Sequence, residues 1–299
     1  MKIITSINIY NFHLVISYLG KGIDIIPFED LRSNFRKISG NYIAKIDTET
    51  TITEITPFSH HLIGIENFKV KNFSLKNQYS NSSEDISASQ ISFDFNSNLL
   101  FILDEENVIQ EVEVKHIDNL FVKNKFGTKS LEKFDSASVS NMKNYSDEIF
   151  LSIRGFGVCS INRDYNEYTY RTEDAQDVLL TGENKIIVVA DFEGILLFRV
   201  LENKPFQKIK LYNNDLPQEI KLFNQKLIIK GKNGLYIYDF KTSNMTQIWN
   251  EKVGAFATYY DMIFFSSNNK MHMISNSNNS TEYFKMKNSV DIEVQKYFR

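Results

Sequence analysis

The sequence predicts an all-β fold, a single seven-bladed β-propeller of four-stranded antiparallel blades, and three observations predict it. The first is a hairpin unit written twice in mid-chain. Residues 177–200 read DVLLTGENKIIVVADFEGILLFRV, and residues 219–240 read EIKLFNQKLIIKGKNGLYIYDF. In each, a short β-branched run (Ile186–Ala190, Leu227–Lys230) meets a turn ending in glycine (Gly194, Gly234). A second apolar run follows (Ile195–Val200, Leu235–Phe240), and such pairs read as hairpins. The second observation is recurrence: the first run of the unit starts at 13, 61, 99, 149, 186, 227 and 262. Seven units in 299 residues lie about 43 apart, the length of a four-stranded blade. The third is that no sustained amphipathic pattern of helical period breaks the series, so helices should be few.

In order, His13–Ser17 turns through Gly20 and Gly22 into Ile23–Phe28, and His61–Ile65 turns through Glu66 and Asn67 into Phe68–Leu75. Leu99–Leu103 turns through Asp104–Asn107 into Val108–Val114, and Ile149–Ile153 through Arg154 and Gly155 into Phe156–Ile161. After the two central units, Met262–Ser266 turns through Asn268 and Asn269 into Lys270–Ile274. Inner strands are expected at Lys2–Tyr10, Ile91–Phe95, Asp177–Leu180, Glu219–Phe223 and Gly254–Tyr259. Outer strands are expected at Phe121–Lys125, Glu167–Arg171, Phe206–Leu211, Met245–Trp249 and Thr281–Met286. The outer runs alternate apolar and polar residues, as a strand with one wet face does. The second unit is the weakest, so six blades with a decorated edge is the structural alternative. Gly194 and Gly234 are expected at positive φ, which glycine reaches without a Cβ clash.

The two longest spacings hold Lys76–Gln90 (KNQYSNSSEDISASQ) and Gly127–Tyr145. Both are polar and weakly periodic and read as long surface loops on one 1–299 domain. Glycine (12) and proline (4) are scarce, so many turns should use Asn, Asp and Ser, whose side chains bond to nearby backbone.

Hydrophobic residues at 42% and charged residues at 24% place the chain among globular proteins. The net charge of −3 offers no strong field for gripping nucleic acid. Lys221–Lys232 holds four lysines, which read as solvated strand-end charges. One cysteine, Cys159, excludes an internal disulfide framework and reads as a core thiol. The first twenty residues lack a clean apolar core and cleavage site, and no run reaches membrane-helix length. An intracellular location, without membrane insertion, is the expectation.

Asp177–Pro205 resembles the LVIVD repeat, a β-propeller family. The match rests on Asp177-Val178, Gly182, Val189-Ala190-Asp191, Gly194, Val200 and the Asn203–Pro205 ending. The next unit keeps Gly234, Leu235–Tyr238 and Asp239 but has Lys230-Gly231 where Ala-Asp would stand. The resemblance implies a propeller. It implies no activity, because the repeat is structural. WD40 repeats are a more distant comparison, since no Gly-His or Trp-Asp pair stands at the expected ends.

Dinucleotide, P-loop, zincin, nucleophile-elbow and CxxC motifs are absent from the sequence. His13 and His61 precede the second strands of neighbouring units, so a two-His site is conceivable. The turns after the second strands carry mixed charge, which does not suit a ring of carboxylates around a metal. Asp104 and Asp191 are conceivable as an acid–base pair, but turn carboxylates are ordinarily solvated. No catalytic residue, cofactor or metal is therefore assigned.

The expected function is a non-enzymatic protein-interaction scaffold, monomeric by itself, within a larger assembly. Its contacts are expected in the two insertions, where Tyr79, Phe126, Lys129, Lys133, Phe134 and Met142 are the candidate anchors. The alternatives are a carbohydrate or small-ligand binding propeller and a hydrolase or lyase with a site in the central channel, and fold alone does not choose among them.

Overall fold

The second and third strands of each unit are apolar on both faces because each faces a neighbour on both sides. In IIVVAD, Ile187 and Val189 pack toward one adjoining unit while Val188 and Ala190 pack toward the other. Full burial of one such side chain contributes roughly 1.5–3 kcal/mol. A strand buried on both faces therefore reads as a continuous apolar run.

A computed structural model describes residues 4–10, 13–27, 44–46, 52–58, 61–74, 80–94, 97–116, 119–127, 132, 138–145, 148–182, 185–223, 225–259, 262–268, 270–275, 282–287 and 291–296. Its strands form seven antiparallel sheets, each contiguous in sequence. Blade one is β1 (Ile4–Tyr10), β2 (His13–Tyr18), β3 (Ile23–Pro27) and β4 (Ala44–Ile46). Blade two is β5 (Ile52–Phe58), β6 (His61–Glu66), β7 (Lys69–Ser74) and β8 (Ser80–Ser87). Blade three is β9 (Gln90–Asp94), β10 (Leu99–Leu103), β11 (Ile109–His116) and β12 (Asn119–Phe126). Blade four is β13 (Val139–Tyr145), β14 (Glu148–Ile153), β15 (Gly157–Asn162) and β16 (Glu167–Arg171). Blade five is β17 (Ala175–Leu180), β18 (Ile186–Asp191), β19 (Gly194–Arg199) and β20 (Gln207–Ile209). Blade six is β21 (Pro217–Phe223), β22 (Lys226–Gly231), β23 (Leu235–Asp239) and β24 (Asn244–Trp249). Blade seven is β25 (Val253–Tyr259), β26 (Met262–Ser267), β27 (Lys270–Ser275) and β28 (Glu282–Lys287), and β29 (Asp291–Lys296) pairs outside it as a fifth strand.

The chain is thus a seven-bladed β-propeller. The expected second unit is a full blade, which removes the six-blade alternative. A single 3₁₀ turn, Tyr212–Asn214, is the one helical element of three or more residues among the described residues. No helix there is long and apolar enough to cross a membrane.

Seven apolar clusters lie between neighbouring blades and close a ring. Val15 and Ile25 meet Leu62 and Phe73 between blades one and two, and Ile65 meets Leu100 and Val112 between two and three. Leu103 meets Leu151 and Cys159, Phe150 meets Val178 and Val189, Leu197 meets Leu227 and Ile229, and Ile228 meets Phe256 and Phe265. The last cluster joins Ile7, Leu14 and Ile16 of blade one to Ala257, Phe264 and Met273 of blade seven. Among the described residues no strand is exchanged between blades one and seven. β1 lies beside β25 on one side and β5 on the other, so closure rests on side-chain packing.

Six of the seven innermost strands shift register against the second strand near their start, between Ile4 and Ser6, Thr53 and Thr56, Val139 and Asn141, Ala175 and Asp177, Pro217 and Glu219, and Val253 and Phe256. β9 pairs without a shift. A bulge inserts an unpaired residue and re-aims the side chains after it. In blades four to six that places Asn141, Asp177 and Glu219 in corresponding positions.

The structure corrects four expectations. Lys76–Gln90 is not a loop, because most of it is β8, which pairs with β7 through Lys71↔Ser82 and Asn72↔Asn81. The Gly127–Tyr145 insertion ends in β13, an innermost strand, and Met142 on it is buried at 2% exposure in the core between blades three and four. Gly194 has φ +131 as expected, but Gly234 is not at positive φ. Its need is space: a Cβ there would approach the Trp249 carbonyl oxygen and Gln247 Nε2 at 2.8 Å each. Asp104 and Asp191 are buried, not solvated.

Candidate functional site

The innermost strands carry the charges of the channel wall, and these charges bind blade to blade. Lys143 on β13 sits 2.6 Å from Asp177 Oδ1 on β17, and reaches on to the Ile220 carbonyl oxygen on β21 at 3.4 Å. Asn141 Nδ2 donates to the same Asp177 oxygen at 3.0 Å, as does the Val178 amide at 2.8 Å. The Ile220 amide donates to Asp177 Oδ2 at 2.8 Å. Glu219 lies 3.1 Å from both Lys221 and Lys230. Those lysines donate onward to blade seven, Lys221 to the Phe256 carbonyl at 2.6 Å and Lys230 to that of Gly254 at 2.9 Å.

The electrostatics follow. Burial pulls the Lys143 ammonium down, and the Asp177 carboxylate more than reverses this, so Lys143 titrates above the usual lysine range. Burial pushes Glu219 up, but Lys221 and Lys230 outweigh it and bring its carboxyl down to about 2. Burial raises the Tyr145 hydroxyl against the opposing pull of Lys143. Lys143 and Tyr145 reach the next blade directly, and Glu219 holds the two lysines that do.

The turn carboxylates are committed as well. Asp104 accepts from the Glu106 and Val108 amides and from Gln110 Nε2 at 2.9–3.0 Å. Asp191 accepts from the Glu193 amide of its own turn and from the Asp174 amide just before β17. Blade six does the same job from the other side. Gly231 stands where Asp191 stands in blade five, and Asp215, just before β21, reaches into the space a side chain would fill. Asp215 accepts from the Asn233 amide and the Tyr236 hydroxyl, and burial with this contact raises the tyrosine. That explains why glycine stands at 231 where the preceding unit has Asp191.

Among the described residues, no three or more His, Cys, Asp or Glu side chains gather as metal ligands. His13 and His61 open β2 and β6 of adjacent blades.

A cleft of about 490 Å³ opens between blades three and four, within the size range of ligand sites. Its floor is Asp94, Glu111 and Glu113 with Phe101, Ile149 and Ile161. Its rim holds Lys123, Asn124, Phe126, Arg163 and Tyr165. Phe126 ends β12, and its ring packs against Tyr165 at 4.7 Å and 54°. Asn124 Nδ2 donates to the Tyr165 hydroxyl, and Lys123 lies 3.5 Å from Glu111. Tyr165 belongs to the turn after β15. Asn162 shapes that turn: its side-chain oxygen accepts from the Asp164 and Asn166 amides, and its carbonyl from the Tyr165 amide. Tyr165 sits at φ +60, a strained position for a bulky residue, and is 47% exposed.

Of the residues expected to anchor a partner, Phe126 lines this cleft and Met142 is in the core. Tyr79, Lys129, Lys133 and Phe134 lie outside the described residues. Sequence reasoning missed Tyr165, Glu111 and Asp94. The segment Asn162–Asn166 reads as an ordinary polar turn, and nothing in it signals a left-handed tyrosine pointing at the blade before.

No family model matches the chain, and no curated protein matches it. Among solved structures the likeness is one of shape. The computationally designed Ika8 protein superposes with a TM-score of 0.66 at 9% identity, over 99% of this chain and 96% of that one. In all, 1128 solved chains match, so the shape is too widely shared to carry a function.

Proposed function

We propose that this chain is a non-enzymatic scaffold that binds another protein at the cleft between blades three and four. The observation that carries this reading is the Phe126–Tyr165 pair at the cleft mouth. A bulky residue held at positive φ costs on the order of 1 kcal/mol or more, and the ring that results is half exposed. Aromatic anchors beside a recess are where binding energy concentrates. The commitment of Asp104, Asp177, Asp191 and Glu219 to the fold supports a role without chemistry. A net charge of −3 favours a protein partner over nucleic acid. The intracellular location and the LVIVD-type kinship of blade five belong to the same proposal. Asp191 and Gly194, two residues that carry the resemblance, act in its turn. The cleft's volume favours a small ligand as a second reading.

The test is affinity purification of the native protein beside Phe126→Ser and Tyr165→Gly variants. The reading expects both to lose a shared partner, Tyr165→Gly at an unchanged melting temperature and Phe126→Ser, whose ring also packs against the core between blades three and four, after allowance for its folded fraction. Retention of every partner by both variants sinks it.

A further inference from the structure

The turn between β22 and β23 in blade six is Lys232-Asn233, followed by Gly234, and this is the one Asn-Gly pair in the sequence. Both turn residues are exposed. The matching turn of blade five is closed into its ladder by the pair Asp191↔Gly194. In blade six the ladder stops at Lys230↔Leu235. The Gly231 amide donates to the Gly234 carbonyl at 2.9 Å, but among the described residues no acceptor meets the Gly234 amide. Glycine also places no Cβ beside that nitrogen. The Asn233 side chain is held by its nitrogen, which donates to Asp215 Oδ1 at 3.2 Å.

We propose that Asn233 is a site of spontaneous covalent modification, at which the folded protein converts its own asparagine to aspartate and isoaspartate. The Gly234 nitrogen attacks Cγ of Asn233. The N–Cγ bond forms, the Cγ–Nδ2 bond breaks, and ammonia leaves with the proton that the Gly234 nitrogen gives up. Water then opens the cyclic imide. Attack at the side-chain carbonyl gives aspartate, and attack at the main-chain carbonyl gives isoaspartate. Asparagine is a thermolabile residue, and a bonded or shielded following amide, which would restrain it, is missing at this turn. The consequence follows from what Asn233 holds. Asp215 is 7% exposed and accepts from the Asn233 amide at 3.1 Å and from the Tyr236 hydroxyl at 2.9 Å. Conversion replaces a donor to Asp215 with a second carboxylate, and like charges at that range repel. Isoaspartate also lengthens the main chain between the bonding groups. Either product releases the turn from the segment that enters blade six.

The test ages the full-length protein in neutral buffer at physiological temperature, beside a free peptide of residues 230–236. Peptide mapping that separates asparagine, aspartate and isoaspartate follows position 233. Giving up the bond from Nδ2 to a carboxylate slows the folded chain by no more than about a hundredfold against the peptide, and both acidic products are expected. Slower conversion than that, or aspartate without isoaspartate, overturns the proposal. Asn233→Gln, which would need a larger ring, should stay unconverted over the same period, and acid formed there at the parent rate also overturns it. The release is read on Asn233→Asp, which carries the product's charge from the start. The Lys232 amide, which donates to the Leu216 carbonyl at 2.9 Å, should exchange with solvent about tenfold faster than in the parent. Unchanged exchange at Lys232 in a folded Asn233→Asp protein overturns the released turn.

Discussion

Replacing Asp177 with alanine should cost about 3–5 kcal/mol of folding stability, the penalty for breaking a buried ion pair from one side. Asp177 is 1% exposed and accepts bonds from Lys143, Asn141, Val178 and Ile220. The substitution strands two backbone amides and an ammonium whose side chain is only 23% exposed. Each unsatisfied neutral donor costs roughly 1–3 kcal/mol, and the bond from Lys143 to the Ile220 carbonyl at 3.4 Å recovers little. Domains are stable by roughly 5–15 kcal/mol, so a third or more of the total is at stake. Urea unfolding followed by the fluorescence of Trp249, the one tryptophan, measures the loss, and circular dichroism checks that one transition is seen. Lys143→Met in the same chain should restore at least half of it, because an apolar pair leaves no stranded charge. A loss under about 1 kcal/mol, or losses that simply add in the double variant, would refute the reasoning.

Three further outcomes are expected. Gly194→Val should destabilise by about 1–3 kcal/mol, through both its φ of +131 and a collision with the Ile209 carbonyl oxygen; chemical denaturation reads it, and an unchanged midpoint refutes the strain. Glu219, held down at about 2 from 4.5, contributes stability that is present above pH 4.5 and lost as pH falls toward 2, at most about 3 kcal/mol. Glu219→Gln should flatten stability in that window, and parallel pH profiles for the two proteins count against the Lys221–Glu219–Lys230 link. Met142→Ala should cost about 2–5 kcal/mol as a core truncation, whereas a surface contact residue would leave the thermal midpoint in place.

The hairpins of every blade were legible because their strands are buried on both faces and bounded by turns. Leu99–Leu103 and Glu167–Arg171 match β10 and β16 residue for residue. What burial does not write was not legible. β8, SNSSEDIS, has little strand propensity and pairs through backbone bonds to β7. β13, VSNMKNY, is polar because three of its side chains serve other blades: Ser140 bonds to the Ala175 carbonyl, and Asn141 and Lys143 to Asp177. Met142 between them looked like part of a loop for that reason. Bulges compound this, since each shifts the alternation that a period-two reading depends on. Of the cleft, the aromatic Phe126 was visible in the sequence. Its acidic floor comes from strands of blade three whose facing side chains only register reveals.

Ring closure by packing alone has a kinetic consequence. Neighbouring innermost strands are separated by about one blade of chain, but β1 and β25 are separated by nearly the whole of it. Bringing them together costs roughly 1.5 kcal/mol more loop entropy than joining adjacent blades. Among the described residues no shared blade offsets this with ladder hydrogen bonds, so the Ile7–Phe264 cluster does so through apolar contact. The seam between blades one and seven should therefore form last and open first, and amides on β1 and β25 should exchange with solvent ahead of those on β17 and β21.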